Sequence, residues 1–521
     1  MDNCLFFSFE FREDKKIWNR ANVIVDNPLI STNYMLYMYI ITTPIPYTNA
    51  APHLGHLLEG IYTDTIRRYQ NEIKQNSTLL TMGLDQHGLK IYQLANELKI
   101  DPAEFVESTG KIFTDLWESF DIKYDTFIPT HSTRHVLLAQ SIFRTLKKNG
   151  HIYEKNYKGN YCVGCEDFYA PTQLIEGGLC PVHLTKPIEM EETNQFFRLS
   201  NFEQAILDFL DVVEVYPENT KNEWRSFVKQ GLIDVSCTRE KSRLPWGIEV
   251  PDDQDQVMYV WIEALLNYCT ALFTLEEVKG MGDIEILNKI RDSYPIDLMY
   301  CSKEIAKFHL VIFPALLTAL DIPLPKKCVC HGMINDSRGV KMSKSLGNVI
   351  TPSEVKEIYT NDEIRFIFLH EINLIGDSEF NWDRIKENYN IFLANNYGNI
   401  FTRVTTLIQK FGYAINNESL EYNWDDYHQY FENGNSKLAF DEIFKACSFG
   451  NEYMEQTKPW ELAKDESKHD EIKKILGKLL NHLKEIAFYS KPFLPDTSNI
   501  LIDQLTKEEI VKISPVFLRK Q

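Results

Sequence analysis

The chain has 521 residues, and 74 acidic against 55 basic residues give it a formal net charge of −19. With 44% hydrophobic and 25% charged residues, the composition excludes a collagen-like or largely disordered chain. No apolar run approaches the ~18–20 residues that a membrane-spanning helix needs. The acidic balance argues against non-specific nucleic-acid binding but leaves room for a specific RNA partner.

Strands that alternate with helices follow residue 37. A β-rich apolar run at 37–43 predicts a strand, and apolar residues at helical spacing predict a helix over 53–70. A second buried strand is predicted at 77–82, and further helices at 90–98 and 102–120. This alternation predicts βαβ units and a parallel sheet.

The composition of the sequence and the spacing of its apolar residues change near residue 150 and again near residue 388. Cysteine, glycine, proline and short strands dominate the middle segment, as in an insertion, whereas helical texture returns at 257–273 and a strand follows at 327–331. Long amphipathic segments then predict a C-terminal helical bundle. The predicted bounds are an N-terminal extension (1–37), a first Rossmann half (38–150), a connective insertion (151–255), a second Rossmann half (256–330), a loop and stem-contact region (331–387) and a helical domain (388–521).

Residues 1–37 and the number of cysteines indicate in which cellular compartment the protein is expected. The N-terminal residues include acidic side chains that a mitochondrial presequence lacks, so a genuine extension and a misassigned start codon both remain open. Ten cysteines in the chain are far fewer than a disulfide-stabilised protein of this length would have. The sequence therefore predicts a reducing compartment, the cytoplasm.

A Pro-His-Leu-Gly-His motif ends at His56, between the first strand and the first helix. A helix N-terminus suits phosphate because its N–H groups are free and its dipole end is positive. Gly55 lets a ligand approach the backbone, and His53 and His56 share one helix face, where both can donate to one anion. Two ordinary surface histidines would show the same pattern.

A Lys-Met-Ser-Lys-Ser motif occupies residues 341–345, in a loop that glycine flanks on both sides. The ammonium groups of Lys341 and Lys344 could neutralise charge that develops on a polyphosphate leaving group. A solvated basic loop is the alternative interpretation.

Together, in this order and on a split parallel sheet, the two motifs resemble the HIGH and KMSKS signatures of class I aminoacyl-tRNA synthetases. Residues 53–56 match the first signature with leucine in place of isoleucine, and residues 341–345 match the second in every letter. Over about residues 37 to 496, the chain looks like the methionyl-tRNA synthetases in further motifs at 43–47, 83–88, 260–268, 305–309 and 458–462. The resemblance implies an α/β fold: a class I Rossmann-type parallel sheet split by a zinc-knuckle insertion, followed by an α-helical anticodon-binding bundle.

The resemblance implies a methionine pocket, and the chemistry of the residues agrees with it. An apolar slot lined by aromatic rings suits a flexible thioether, and a carboxylate such as Asp85 suits the substrate ammonium. Trp261 and Tyr268 are spaced two turns apart, which plain helix core would also explain. The residues that the resemblance places in the pocket are Ile45, Tyr47, Asp85, Trp261, Ala264, Leu265, Tyr268, Ile305 and His309.

ATP contacts and catalytic groups are also implied by the resemblance. The implied catalytic residues are His53, His56, Lys341 and Lys344, and the implied ATP-binding residues are His53, Gly55, His56, Glu304 and Lys344. The chain departs from the family pattern at Gln86, usually glutamate, and at Ser302, usually glycine.

Cys162 and Cys165 form one pair of potential metal ligands, and Cys180 and His183 form a second pair with the same spacing. Tetrahedral Zn²⁺ favours thiolate and imidazole, and such spacing lets one knuckle supply two ligands. The sequence predicts one structural Zn²⁺, because four protein ligands leave no open position for chemistry. A metal-free remnant with free thiols is the alternative.

In the helical part, Asn399 and Arg403 share a helix face, and Trp460 begins another helix. The resemblance implies that these residues meet the CAU anticodon, because unstacked bases can stack on an indole and bond to amide and guanidinium groups. A packing role for Trp460 at the start of its helix is the alternative.

The implied activity is that of a methionine–tRNA ligase. The methionine carboxylate attacks the α-phosphate of ATP, with Mg²⁺, and the methionyl group then passes to the 3′ end of tRNA(Met), including initiator tRNA. Another class I synthetase and a synthetase-like protein that binds RNA without charging it are the alternatives. We expect no membrane partner, and we expect a monomer because no appended dimerisation module follows the bundle.

Overall fold

The computed structural model describes residues 38–521 apart from 163–166, 170, 343–345, 375 and 416–417. The predicted extension at 1–37 lies outside the described residues, as do Cys165 of the predicted knuckle and Lys344 of the second motif. The strands are β1 (Met38–Thr42), β2 (Ser77–Leu84), β3 (Thr126–Pro129), β4 (Ile152–Cys162), β5 (Asp167–Tyr169), β6 (Ile188–Phe197), β7 (Glu214–Tyr216), β8 (Val235–Ser236), β9 (Thr238–Glu240), β10 (Glu249–Val250), β11 (Asp253–Met258), β12 (Leu298–Ser302), β13 (Lys327–His331), β14 (Ile334–Asn335) and β15 (Ser378–Glu379).

Helices separate and follow these strands, and several of them start with recognisable caps. The Asp101 side chain, for example, accepts a hydrogen bond from the Ala103 N–H at the start of α3, where Pro102 is the first helical residue. The helices are α1 (Leu54–Arg68), α2 (Leu89–Leu98), α3 (Pro102–Ser119), α4 (Thr133–Lys148), α5 (Glu203–Val212), α6 (Glu218–Val228), α7 (Val260–Leu265), α8 (Asn267–Thr270), α9 (Leu275–Gly280), α10 (Asp283–Ser293), α11 (Phe313–Ala319), α12 (Pro352–Ile358), α13 (Asn361–Phe366), α14 (Trp382–Asn388), α15 (Asn399–Phe411), α16 (Asp425–Glu432), α17 (Ser436–Thr457), α18 (Pro459–Leu462), α19 (His469–Tyr489) and α20 (Pro495–Leu505).

A six-stranded sheet in the order β3–β2–β1–β12–β13–β7 forms the centre of the catalytic part. Strand β1 pairs in parallel with β12, β12 with β13, and β2 with β3. Because β1 and β12 are neighbours in space but are separated by the whole middle segment, two parts of the chain build one sheet. Strand β7, which comes from that middle segment, pairs in parallel with β13 at one edge.

The rest of the middle segment forms two antiparallel sheets. One has four strands in the order β5–β4–β6–β8, and the other has three in the order β10–β11–β9. The prediction of helix over 257–273 is wrong at its start. Val257 and Met258 are the last residues of β11, and they pair with β9. A short apolar run does not distinguish a buried strand from a buried helix, and helix α7 begins at Val260.

The central sheet separates two hydrophobic cores because successive side chains of a strand point to opposite faces. Leu298 and Tyr300 of β12 pack with α1 and with the C-terminal helices, whereas Met299 and Cys301 pack with α7, α8 and α11. The C-terminal helices therefore share a core with the sheet. In parallel α/β sheets, ligands bind at the carboxyl ends of the strands, which is where β1, β2 and β12 lead into the predicted site residues.

Candidate active site

The N-terminus of α1 holds the two histidines of the first motif. His53 is the N-cap, and its Nδ1 accepts a hydrogen bond from the Gly55 backbone N–H at 3.1 Å. The His56 Nδ1 accepts from the His53 backbone N–H at 3.3 Å, and the two rings stack with centroids 3.7 Å apart. A Cβ on residue 55 would lie 2.9 Å from the His53 ring, so a larger residue there would displace the capping imidazole. Both imidazoles thus stand beside the helix dipole end.

Both imidazoles are neutral near pH 7. Desolvation by the surrounding protein lowers the pKa of His53, and the negative charges of Glu59 and Glu304 only partly oppose it. Burial lowers the pKa of His56 still further below 6.5, and the neighbouring His53 adds to the effect. Because Nδ1 accepts a hydrogen bond in each ring, the proton lies on Nε2. Each ring can therefore donate to an anion without a charge of its own.

An aromatic slot lies beside the end of β12. The Trp261 ring stacks on Phe308 with centroids 4.0 Å apart and planes 9° apart. The Tyr268 hydroxyl lies 2.8 Å from His309 Nε2, and His309 Nδ1 lies 3.0 Å from the Ile305 carbonyl oxygen. The structure therefore brings together aromatic residues that lie far apart in the sequence.

The Tyr268–His309 pair has a fixed proton arrangement. Since the Ile305 carbonyl can only accept, His309 Nδ1 donates to it, and Nε2 accepts from the Tyr268 hydroxyl. Burial lowers the pKa of His309 and raises the pKa of Tyr268 well above its ordinary value, so both stay uncharged. The slot is thus apolar, with one uncharged polar edge.

Asp85 lies at the carboxyl end of β2 and is almost completely buried. Its backbone N–H donates to the Pro46 carbonyl at 2.9 Å, and its carbonyl accepts from the Thr48 N–H at 3.0 Å. These bonds fix the segment that includes Tyr47, which pairs with Asp85 as an isolated parallel bridge. The buried carboxylate can therefore meet an ammonium group at the strand ends.

Three further residues are predicted to line the pocket, and the structure places two of them on α7 and one beside β2. Ala264 and Leu265 are buried on α7, the helix that also bears Trp261. Ile45 is half-buried and packs against Gly83, where an added Cβ would lie 2.8 Å from the Ile45 Cγ2. Ala264 and Leu265 thus share a helix with Trp261, and Ile45 lies against β2 close to its Asp85 end.

The described part of the second motif reaches the same region. Lys341 Nζ lies 3.0 Å from Glu304 Oε1, and the Lys341 backbone pairs with Asn335. The Glu304 charge also opposes the lowering of the His53 pKa, so this ion pair lies within electrostatic reach of the α1 N-terminus. His53, Glu304 and Lys341 thus form one charged and hydrogen-bonding surface next to the aromatic slot.

Comparison with known proteins decides the family. The family model "tRNA synthetases class I (M)" matches residues 39–186 and 171–405, and the model "Anticodon binding domain of methionyl tRNA ligase" matches residues 414–514. The chain belongs to the methionine-specific class I tRNA synthetases. The predicted resemblance, and the predicted fold of a parallel α/β sheet with a helical C-terminal part, are therefore confirmed.

Individual relatives agree with this family. A methionine–tRNA ligase of Caldanaerobacter subterraneus is 37% identical over 90% of this chain and 74% of its own length. One of Thermotoga maritima is 34% identical over 90% of this chain and 76% of its own length. The crystal structure of Mycobacterium tuberculosis methionyl-tRNA synthetase bound by methionyl-adenylate is similar with a TM-score of 0.80 and 30% identity, over 90% of this chain and 94% of that one.

The two departures of this synthetase from the family pattern lie at strand ends. The Gln86 side chain is buried, and its Nε2 donates to the Val106 carbonyl oxygen at 3.1 Å, which attaches it to α3. Ser302 is the last residue of β12. Gln86 thus connects the end of β2 to a neighbouring helix.

Three of the four predicted zinc ligands lie among the described residues of the synthetase, and they cluster. The ligand atoms of Cys162, Cys180 and His183 all lie within 4.8 Å of one another, with Cys162 Sγ 3.9 Å from His183 Nδ1. A tetrahedral zinc site with ordinary bond lengths separates sulfur and nitrogen by about 3.6 Å. The donor set and its spacing therefore fit a metal ion, and Cys165, the fourth predicted ligand, lies outside the described residues.

The predicted anticodon residues lie on two helices of the C-terminal domain. Asn399 is exposed on α15, and Arg403, one turn further, donates to Asn451 Oδ1 at 2.8 Å and to Glu455 Oε1 at 2.9 Å. Trp460 lies on α18, half-buried against the hydrophobic core. The structure confirms that Asn399 and Arg403 share a helix, and it gives Trp460 both a packed and an accessible side.

Glu263, a buried carboxylate beside the slot, was not predicted from the sequence as a site residue. Its oxygens lie 2.8 Å from His87 Nδ1 and 2.8 Å from His135 Nε2. Burial alone would raise the pKa of Glu263, but the charges and hydrogen bonds of His87 and His135 hold that pKa below its ordinary value. The available signal was one charged residue between Ile262 and Ala264, in an otherwise apolar helix.

Proposed function

We propose that this chain activates methionine with ATP and transfers the methionyl group to the 3′ end of tRNA(Met), including initiator tRNA. This proposal rests mainly on one observation: the aromatic slot lies next to the surface formed by His53, Glu304 and Lys341. An amino acid in the slot and a triphosphate on that surface would meet with carboxylate and α-phosphate adjacent. Catalysis is then positioning and charge stabilisation, with no covalent enzyme intermediate.

On the triphosphate side, His53 and His56 donate from Nε2 to phosphate oxygens at the α1 N-terminus. Gly55 leaves room for the ligand against the backbone, and Glu304 accepts from the ribose hydroxyls. Lys341, together with Lys344, neutralises the charge of the departing pyrophosphate. The 3.0 Å ion pair between Lys341 and Glu304 supports a loop that already contacts the nucleotide side of the site.

On the amino-acid side, Asp85 binds the methionine ammonium. The apolar side chain lies among Trp261, Tyr268 and His309, whose rings favour contact with a thioether sulfur. The remaining pocket residues are Ile45, Tyr47, Ala264, Leu265 and Ile305. An uncharged Tyr268–His309 pair suits this ligand because a charged edge would repel an apolar side chain.

For the middle segment, we propose a structural Zn²⁺ held by Cys162, Cys165, Cys180 and His183. The cluster of three of these ligand atoms within 4.8 Å supports it. Such an ion would fix the knuckle without taking part in the reaction.

In the helical domain, Asn399, Arg403 and Trp460 are proposed to bind the CAU anticodon. Arg403 is already oriented by Asn451 and Glu455, so its guanidinium loses little freedom on binding. The exposed side of Trp460 offers a stacking surface to an unpaired base.

The proposed compartment is the cytoplasm. The described part of the chain contains a cluster of free thiols, Cys301, Cys328 and Cys330, whose sulfur atoms lie 3.6–4.0 Å apart. Neighbouring thiols persist where the surroundings are reducing. No helix in the described part of the chain is long and apolar enough to cross a membrane.

The test is amino-acid-dependent exchange of pyrophosphate into ATP, measured with each of the twenty amino acids. We expect exchange with methionine and weak exchange with leucine, isoleucine and cysteine, although one methylene changes binding by only ~1–3 kcal/mol. Equal exchange with leucine would favour another class I synthetase, and no exchange with any amino acid would favour a non-charging RNA-binding protein.

A matched pair of variants locates the reaction at the proposed site. His56→Ala should lower the exchange rate by about 10²–10³-fold, the usual effect of removing one donor to developing charge. His469→Ala changes an exposed histidine at the start of α19 and should leave the rate at the parent value. An unchanged rate in His56→Ala would remove the α1 N-terminus from the mechanism.

A further inference from the structure

Glu263 is a completely buried carboxylate that joins three separate elements. The side chains of Glu263 and His135 are fully buried, and that of His87 is 3% exposed. His87 follows β2, His135 is in the first turn of α4, and Glu263 itself lies on α7. A buried ionised carboxylate is costly unless hydrogen-bonded partners compensate it. Two imidazole donors at 2.8 Å provide that compensation.

Two of these elements, the β2 end and α7, bear residues of the amino-acid slot, and α4 connects to a third, α8. His87 lies two residues after Asp85, and Glu263 lies between Trp261 and Ala264 on α7. The network continues from His135 Nδ1 to Thr270 Oγ1 at 2.9 Å, two residues after Tyr268. One carboxylate therefore attaches the wall that bears the aromatic rings to the strand end that bears Asp85.

We propose that Glu263 is a positioning residue for the amino-acid substrate, and this inference rests on the proposed function. It touches no substrate itself. By binding His87 and His135, Glu263 fixes the distance between Asp85 and the aromatic wall, and so between the ammonium site and the side-chain site. A shift of that distance would weaken binding of methionine and reduce its advantage over leucine.

Glutamine in place of Glu263 tests the carboxylate and preserves the side-chain volume. A carboxylate accepts from both histidines, whereas the glutamine amide has one accepting oxygen and one donating nitrogen. At least one histidine would then face an N–H₂ group, and one side of the bridge would open. The side chains proposed to bind ATP, which are His53, Glu304 and Lys341, lie on other elements. The substitution should therefore leave their geometry unchanged.

The experiment compares Glu263→Gln with the parent and with Glu276→Gln, which changes an exposed glutamate on the nearby α9. Pyrophosphate exchange gives KM for methionine, KM for ATP, kcat, and the methionine-to-leucine ratio of kcat/KM. We expect Glu263→Gln to raise KM for methionine ~tenfold or more and to lower the ratio, because binding common to ground and transition states is lost. KM for ATP should stay within about twofold of the parent value, since uniform binding of ATP is unchanged.

A conservative variant separates positioning from general packing. Glu263→Asp keeps the charge but is too short to reach both histidines, so its KM for methionine should lie between the parent and Glu263→Gln values. Equal rises of both KM values, or a parent-like KM for methionine in a folded Glu263→Gln, would overturn the proposal. If Glu263→Gln does not fold by circular dichroism, His135→Asn opens the same bridge from the other side and should show the same methionine-specific change. If neither folds, the network serves folding alone and the positioning role is overturned.

Pyrophosphate exchange by the parent enzyme distinguishes a failure of this inference from a failure of the proposed function. A parent that exchanges with no amino acid contradicts the proposed function. A parent that exchanges with methionine, alongside an unaffected Glu263→Gln, contradicts only the positioning role.

Discussion

The Tyr268–His309 hydrogen bond gives a quantitative test of the amino-acid pocket. Tyr268→Phe removes a hydroxyl that donates to His309 Nε2 at 2.8 Å, with both side chains buried. The imidazole nitrogen then loses its donor in a site that water does not readily reach. Leaving a buried polar group unsatisfied costs ~1–3 kcal/mol. If that cost falls on the methionine-bound state, KM for methionine rises by ~5- to 150-fold.

The assay is methionine-dependent pyrophosphate exchange together with thermal unfolding. Tyr427→Phe is the matched control, because the Tyr427 hydroxyl is also buried and donates to the Tyr489 carbonyl at 2.8 Å, but in the helical domain. Both variants should lose a similar amount of stability, and only Tyr268→Phe should change KM for methionine. Equal stability losses with a parent-like KM in both variants would show that the pair only packs the core and would refute the reasoning.

Four further outcomes follow from the same structure. The pKa of His309 is lowered by burial, so KM for methionine should be constant above pH 6.5 and should rise only at lower pH, where protonated Nε2 no longer accepts; a rise between pH 7 and 8.5 contradicts this. Lys341→Ala should lower kcat of exchange at least ~tenfold, whereas Lys468→Ala, which breaks another exposed ion pair, should not, and both should change stability by less than ~1 kcal/mol. Purified parent protein should contain about one zinc per chain, and Cys180→Ser about none; equal contents would exclude the knuckle. Trp460→Ala should lower aminoacylation of a CAU-anticodon tRNA by ~10- to 100-fold, as expected for one lost stacking contact, with exchange unchanged; a loss of both activities would indicate a folding role.

Elements with a clear local signal could be predicted from the sequence. The strand predicted at 327–331 is β13 (Lys327–His331), because a short apolar run ends where polar and glycine residues begin. The helix predicted at 53–70 is α1, whose residues Leu57, Leu58 and Ile61 form a buried face. Motif residues could likewise be assigned, because their spacing along the chain is itself the signal.

Contacts between distant residues could not be predicted in this way. Glu263 lies 176 residues from His87 and 128 from His135, and no periodicity connects them. The partner of Lys341, Glu304, also becomes evident only when β12 and β13 lie side by side. Such pairs depend on sheet order, which the sequence limits but does not determine.

Protonation states could not be predicted from the sequence either. They give the histidines and the lysine different roles in the proposed site. A histidine motif beside a phosphate site suggests positive imidazoles, yet desolvation by the surrounding protein lowers the pKa of both His53 and His56 and keeps them neutral. On the proposed nucleotide side, Lys341 carries a positive charge; its side chain is exposed, so its attraction is open to screening by salt. Donation from neutral rings carries no net charge, so it depends on geometry and is screened much less. In the proposed mechanism, the histidines set where the α-phosphate lies, and the lysine loop adds charge stabilisation when the pyrophosphate departs.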